Sequence, residues 1–325
     1  MTGLEPATSG VTGRRKRLIH QRMVSIPHAL EFAGKSAKLK LAYQNSSSTP
    51  RDINSDRRLR CCQPSGWTGT DCSRRLLDRL ETADRCARFR RIPGHRPRPE
   101  GDQRGYNTSD KPKAIREYTL PKLVGDVVAI ADALGIGRFH LVGHDWGGIV
   151  AWAAGAKLPH RLERLVILNA PHPEVLLAHS LRSPTQFLRS SYAAFFQFPL
   201  LPEAVLGAGH SALLARALIK SSRTDAFTAE EIAEYRQAWE RPGALTGMLN
   251  WYRALRFRPS LRQRIRTPTL VLWGMQDQAL EYGLAERSLA FCNDRDLQTF
   301  EKATHWVQRE EASAVNAALL AFLDG

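Results

Sequence analysis

A chain of 325 residues with 43% hydrophobic content can bury a full core, as one large α/β domain or two smaller ones. No apolar run approaches the ~20 residues that span a bilayer, and Met1 to Gly13 is small and polar ahead of Arg14-Arg15-Lys16-Arg17, so we expect a cytoplasmic protein with neither leader nor membrane partner. The net charge of +15 suggests a nucleic-acid partner, but the first hundred residues hold 21 Lys and Arg against 9 Asp and Glu, while the other 225 hold 26 against 23; no nucleic acid is therefore expected at the part that looks enzymatic.

Residues 1–101 read poorly as structure. Ile26 to Tyr43 is partly apolar without a clean period, Gln44 to Pro50 is Ser-rich, and Ile92 to Gly101 alternates Pro and Gly with Arg. Ser73 to Arg91 can form an Arg-rich helix, and the segment as a whole can be a basic arm or plain disorder. Cys61, Cys62, Cys72 and Cys86 lie here, but none of them forms the C-x₂-C pair of a zinc site, and no metal is expected.

From Asp102 the texture changes. Asp102 to Pro112 reads as a loop leaving a strand end. Tyr118 to Leu134 has its apolar residues near 3.6 spacing, with Thr119 as a cap and Pro121 in the first turn. Phe139 to Val142 is a short strand. Gly143-His144-Asp145-Trp146-Gly147-Gly148 follows and opens into a second helix that ends at Leu158-Pro159. Leu165 to Leu168 is a strand buried on both faces. This alternation predicts a mostly parallel, doubly wound α/β sheet. Some ninety residues after Pro171-His172-Pro173 then read as helical and aromatic. Strand texture returns at Thr269 to Gly274 and Leu297 to Phe300, and a last helix runs from about Ala312 to Leu323. An insertion after a strand's C-terminal end sits over the ligand-binding edge of such a sheet.

The Gly143–Gly148 turn has the shape of a nucleophile elbow, with Asp145 at the tip in place of the usual Ser. The acid and the base of such a constellation follow later in the chain. Asp277 lies just past the Thr269–Trp273 strand and His305 just past the Leu297–Phe300 strand, so Asp145, Asp277 and His305 have the right order. Asp277 alone also suits a turn or N-cap role, and His305 alone a hydrogen-bonded loop role. His144 points away in the turn and reads as structural, while His172 can line the site. A carboxylate is already ionised at neutral pH and can attack a strained or activated saturated carbon. The resulting ester on Asp145 is then hydrolysed by water activated by His305, oriented by Asp277. Epoxides and carbon–halogen bonds suit this chemistry. An opening epoxide needs a proton donor, and Tyr192 and Tyr252 in the insertion can serve, although either can equally be a packing residue.

The elbow, Tyr192…Phe195-Phe196-Gln197, Asn250-Trp251-Tyr252-Arg253 and Thr304-His305-Trp306-Val307 together resemble the α/β-hydrolase-fold epoxide hydrolases of the soluble and bacterial type, from about Asp102 to Leu323. The resemblance implies an α/β-hydrolase fold whose helical cap covers 173–262 between core segments 102–172 and 263–325. It implies Asp145 as nucleophile, Asp277 and His305 as charge-relay partners, and Tyr192 and Tyr252 as the oxygen-polarising pair. It further implies Trp146 as a backbone oxyanion donor, no cofactor, and a small-molecule epoxide with water as substrates. Oligomeric state stays open. Dehalogenases share the His-Asp-Trp-Gly elbow and are the alternative, with Trp251 as a halide-binding donor; a catalytically impaired fold or basic binding module is the third reading. The chain departs from the family upstream, where no His-Gly-x-Pro loop is found; Pro93-Gly94-His95-Arg96 has the wrong order. We therefore expect that residues 1–101 derive from a frameshifted or misassigned gene start, that core strands are missing or degraded, and that the exposed sheet edge and lost oxyanion donor leave a chain of low stability or activity.

Overall fold

The computed structural model describes residues 23–26, 104–106, 109–133, 135–224 and 226–324. The apolar runs become one parallel sheet in sequential order: β1 (Met23–Ile26), β2 (Phe139–His144), β3 (Leu162–Leu168), β4 (Thr269–Gly274) and β5 (Arg295–Phe300). Helix α1 (Leu120–Ala133) precedes β2, and α2 (Asp145–Lys157) joins β2 to β3. Among the described residues six α-helices lie between β3 and β4: α3 (Pro173–Ser180), α4 (Pro184–Arg189), α5 (Tyr192–Phe195), α6 (Leu201–Lys220), α7 (Ala229–Trp239) and α8 (Ala244–Ala254). Helix α9 (Gly283–Leu289) separates β4 from β5, and α10 (Val307–Glu310) and α11 (Ala312–Asp324) close the chain. No helix among the described residues is long and apolar enough to cross a membrane.

Side chains alternate across the central strands. Leu141, Leu165, Ile167, Val271 and Trp273 join α1, α2 and α9 on one face. Val142, Val166, Leu168, Leu270 and Leu272 join Val315, Leu319 and Leu323 of α11 on the other. Both faces are covered, which is why these strands read as continuous apolar runs.

Two features differ from expectation. Residues 23–26 fall inside the segment that offers no legible element, yet they run parallel to β2, from Met23 beside His140 to Ile26 beside Gly143. So β2 is not an open edge. Four residues amid charged neighbours are too few for a period-two pattern to stand out. Tyr118 belongs to a 3₁₀ turn (Ile115–Tyr118), and α1 starts only at Leu120. Pro121 has no N–H to give and is tolerated only in a first turn, so the helix has to begin beside it. Cys61, Cys62, Cys72, Cys86 and Pro93 to Arg96 lie outside the described residues, as does any upstream oxyanion donor.

The insertion is fastened to the core at named points. A Cβ on Gly247 of α8 would overlap the backbone of Gly105, so the two backbones meet directly, and the Trp251 indole N–H donates to the Arg104 carbonyl at 3.1 Å. Arg104 in turn forks onto Asp126 of α1 at 2.8 and 2.7 Å. Arg309 of α10 donates to both carboxylate oxygens of Glu231 in α7 at 2.7 Å.

Candidate active site

The end of β2 turns into α2 with Asp145 at φ 47°, a left-handed conformation that is strained for a residue with a Cβ. The turn closes only because position 143 has no side chain: a Cβ there would overlap the Gly147 carbonyl. The strain pushes the Asp145 carboxylate to the C-terminal edge of the sheet, where the Trp146 backbone N–H donates to it. Burial raises its pKa to about 6, with the Asp277 charge adding to the rise and His305 and the Trp146 N–H opposing it.

The loops after β4 and β5 bring the two other residues to this point. His305 Nε2 stands 3.8 Å from Asp145 Oδ1, and His305 Nδ1 is 2.7 Å from Asp277 Oδ2. Burial pulls the imidazole pKa down, but Asp277 and then Asp145 outweigh it and push it up to about 9. Burial would raise Asp277; His305, the Asn169 amide and the Leu280 N–H hold its pKa below the ordinary value instead. Its Oδ1 also accepts from the N–H groups of Ala279 and Leu280 at 2.8 and 3.0 Å. The turn role and the histidine-orienting role are thus carried by the two oxygens of one carboxylate.

The insertion lowers an aromatic group onto this edge. The Tyr192 and Tyr252 rings meet edge to face at 5.8 Å, and Tyr252 meets Trp146 in the same way at 5.0 Å. Burial, together with the Asp145 charge, raises both phenol pKa values, so both hydroxyls keep their protons. Arg253 on α8 donates to the carbonyls of Phe196 and Phe198 at 2.9 and 2.7 Å and pairs with Glu203, holding the Tyr192 segment against the Tyr252 helix. Trp251 packs on Trp146 at 5.6 Å, but its indole N–H is spent on Arg104 and does not serve as an anion donor. His172 does not join the group. Its ring stacks on Phe291 at 4.0 Å and meets Trp152 edge-on, and its Nδ1 caps α3 by accepting from the Glu174 N–H. Burial pulls its pKa down to about 4.

The contacts of four supporting residues escape a reading of the sequence. Asn169, fully buried and at φ 38° after β3, donates to Asp277 Oδ2 at 2.8 Å and accepts from the Gly274 N–H at 2.9 Å. An Asn directly after an apolar strand is a faint signal for such a clamp. Arg189 of α4 donates to the Asp277 carbonyl at 3.1 Å, and Gln186 brackets the same loop through the Ala279 carbonyl and the Glu281 N–H. His144 contacts the backbone of His305, 161 residues away.

A parallel sheet covered on both faces, with an elbow residue, an acid and a histidine past the ends of β2, β4 and β5 beneath a helical insertion, defines an α/β hydrolase. The chain belongs to that family: the model of the alpha/beta hydrolase fold matches residues 101–312. It is 40% identical over 225 residues to the AB hydrolase superfamily protein YfhM of Bacillus subtilis, covering 68% of this chain and 78% of that one. It is 34% identical over 229 residues to epoxide hydrolase 4 of Mus musculus, where it spans 64% of the relative, less than two thirds of its length. Among solved structures, a Bacillus megaterium epoxide hydrolase in complex with an inhibitor matches with a TM-score of 0.64 at 26% identity, covering 69% of this chain and 82% of that one. An epoxide hydrolase from metagenomes of hot environments matches with a TM-score of 0.61 at 35% identity, covering 68% and 80%. The protein is an enzyme of the epoxide hydrolase-like part of the family.

Proposed function

We propose that the enzyme opens small-molecule epoxides to vicinal diols through a covalent ester on Asp145. An Asp145 oxygen attacks one epoxide carbon, the carbon–oxygen bond breaks, and the departing oxygen takes a proton from Tyr192 or Tyr252. Esterification removes the negative charge beside His305, one of the causes that push its pKa to about 9, so the imidazole pKa falls once the ester exists and the ring is neutral and able to accept a proton closer to neutral pH. His305 then takes a proton from a water that adds to the ester carbonyl, and the Trp146 N–H faces the oxyanion formed there. Collapse releases the diol oxygen, which is protonated from His305, and returns Asp145. Collapse leaves Asp145 as the carboxylic acid bearing the second proton of the water, and that proton returns to the phenolate formed in the first step, which restores both groups. The sum is epoxide plus water to diol.

The observation that carries this reading is the 3.8 Å approach of His305 to Asp145, with Asp277 behind it at 2.7 Å and two protonated tyrosines in front. The test is incubation with styrene oxide and, separately, a haloalkane. Diol should form and free halide should not, and one turnover in heavy-oxygen water should leave label in the peptide containing Asp145. Asp145→Asn should lower kcat/KM by at least about 10³-fold. Halide release without diol would replace this reading with dehalogenation, and unlabelled Asp145 would remove the covalent mechanism.

A further inference from the structure

His144 precedes the nucleophile and is almost fully buried, at 4% exposure. Its ring lies 4.7 Å from the His305 ring. Its Nε2 is 2.6 Å from the backbone carbonyl of His305, an acceptor only, so the proton sits on Nε2. That leaves Nδ1 as the lone-pair nitrogen, and the Gln308 side-chain amide stands 3.0 Å from it as donor. Gln308 lies on α10, three residues beyond His305. The ring therefore stitches the last residue of β2 to the base loop at His305 and to α10 at Gln308, next to the peptide bond that carries Asp145.

We infer that His144 is a positioning residue that holds His305 at the working distance from the Asp145 ester, with Gln308 selecting its tautomer. The inference rests on the covalent mechanism proposed above. Ester formation needs the Asp145 carboxylate and a tyrosine proton, and neither is held by the His144 ring nitrogens. Ester breakdown needs water held between His305 and the ester carbonyl, and displacement by about 1 Å at such a step costs on the order of 10²-fold. The bond from His144 thus bears on one half of the reaction.

The experiment measures formation and breakdown of the ester separately, by quenched-flow intact-mass spectrometry with styrene oxide on the full chain. His144→Phe keeps the ring and removes both nitrogens. His144→Gln restores an N–H at similar reach. Gln308→Met leaves His144 in place and removes the tautomer lock. Breakdown should slow about 10- to 100-fold in His144→Phe, less in Gln308→Met, and recover in His144→Gln, while formation stays within about 3-fold. In steady state, kcat and KM should then fall together with kcat/KM nearly unchanged. If His144→Phe does not fold, Gln308→Met decides. Unchanged breakdown in a folded variant, or equal slowing of both steps, overturns the positioning role alone. Absence of any ester in the unsubstituted chain overturns the covalent mechanism and this inference with it.

Discussion

At the scale of the residue, the site is set by opposing charges in a buried place. In the proposed mechanism Asp145 has to be ionised to attack, and burial moves its pKa up to about 6. The rate of ester formation should therefore rise with pH to a midpoint near 6, well above that of an ordinary carboxyl; a pH profile of the single-turnover burst measures it. The Asp145 charge is also one cause of the raised His305 pKa. In Asp145→Asn the imidazole should titrate below about 9, read by NMR of the ring protons, and an unchanged value would show that the two groups do not interact. The sign for stability follows from the same shift. A histidine raised above its unfolded value of about 6.5 contributes stability that is complete below that pH and is lost as pH rises through about 9. Asn169 is the third residue of weight. Asn169→Ala leaves a buried Gly274 N–H without its acceptor and removes one of the two donors to Asp277 Oδ2, at a cost of about 1–3 kcal/mol in denaturant unfolding. Sequence order was enough to select Asp145, Asp277 and His305 as a set, because each follows a run with strand texture, apolar before Asp145 and Asp277 and mixed before His305. Asn169 has no such signature, since a strand-end Asn serves many turns.

At the scale of the element, placement of Tyr252 depends on how α8 meets the core. The helix is held where two glycine backbones touch and where Trp251 caps the Arg104 carbonyl. Gly247→Ala would force the backbones apart. We expect a loss of about 1–3 kcal/mol, with Tyr252 displaced from Asp145 and ester formation slowed; an unaltered burst rate would show that α8 has room to spare. The aromatic run around Tyr192 announces packing, but its short helix and its partner Tyr252 sit sixty residues apart in the chain, and Arg253 with its carbonyl partners, the Gln197 amide on the Tyr252 carbonyl and the Phe196 ring on Tyr252 bring them together. His172 illustrates the converse. A histidine in a Pro-His-Pro loop after a strand looks available to the site, yet the loop starts α3 and turns the ring onto Phe291 and Trp152, where apolar contact wins.

At the scale of the whole molecule, one apolar cluster runs from α1 and the sheet into the insertion, through Leu123, Val150, Trp146, Trp251 and Trp239. Arg309 and Glu231 add a mostly buried pair across the same boundary, one guanidinium nitrogen reaching both carboxylate oxygens. Insertion and core should therefore unfold together. Tryptophan fluorescence and far-UV circular dichroism should trace one coincident thermal transition, and two separated transitions would refute a shared core. Arg309→Met strands the Glu231 carboxylate and should cost roughly 3 kcal/mol, lowering that single transition rather than splitting it.

The sequence by itself determined the parallel sheet, the helical insertion and the order of Asp145, Asp277 and His305, because strand burial, helix period and elbow glycines are local patterns. It also marked residues 1–101 as different in charge and cysteine. Only the tertiary structure decided that β1 covers the flank of β2, that Asn169 and Gln186 brace the acid loop, that Trp251 faces the core rather than a leaving group, and that His144 reaches the base loop. Each of those is a contact between segments far apart in the chain. Their hydrogen-bond partners are backbone atoms as often as side chains, and a backbone carbonyl leaves no mark in a sequence.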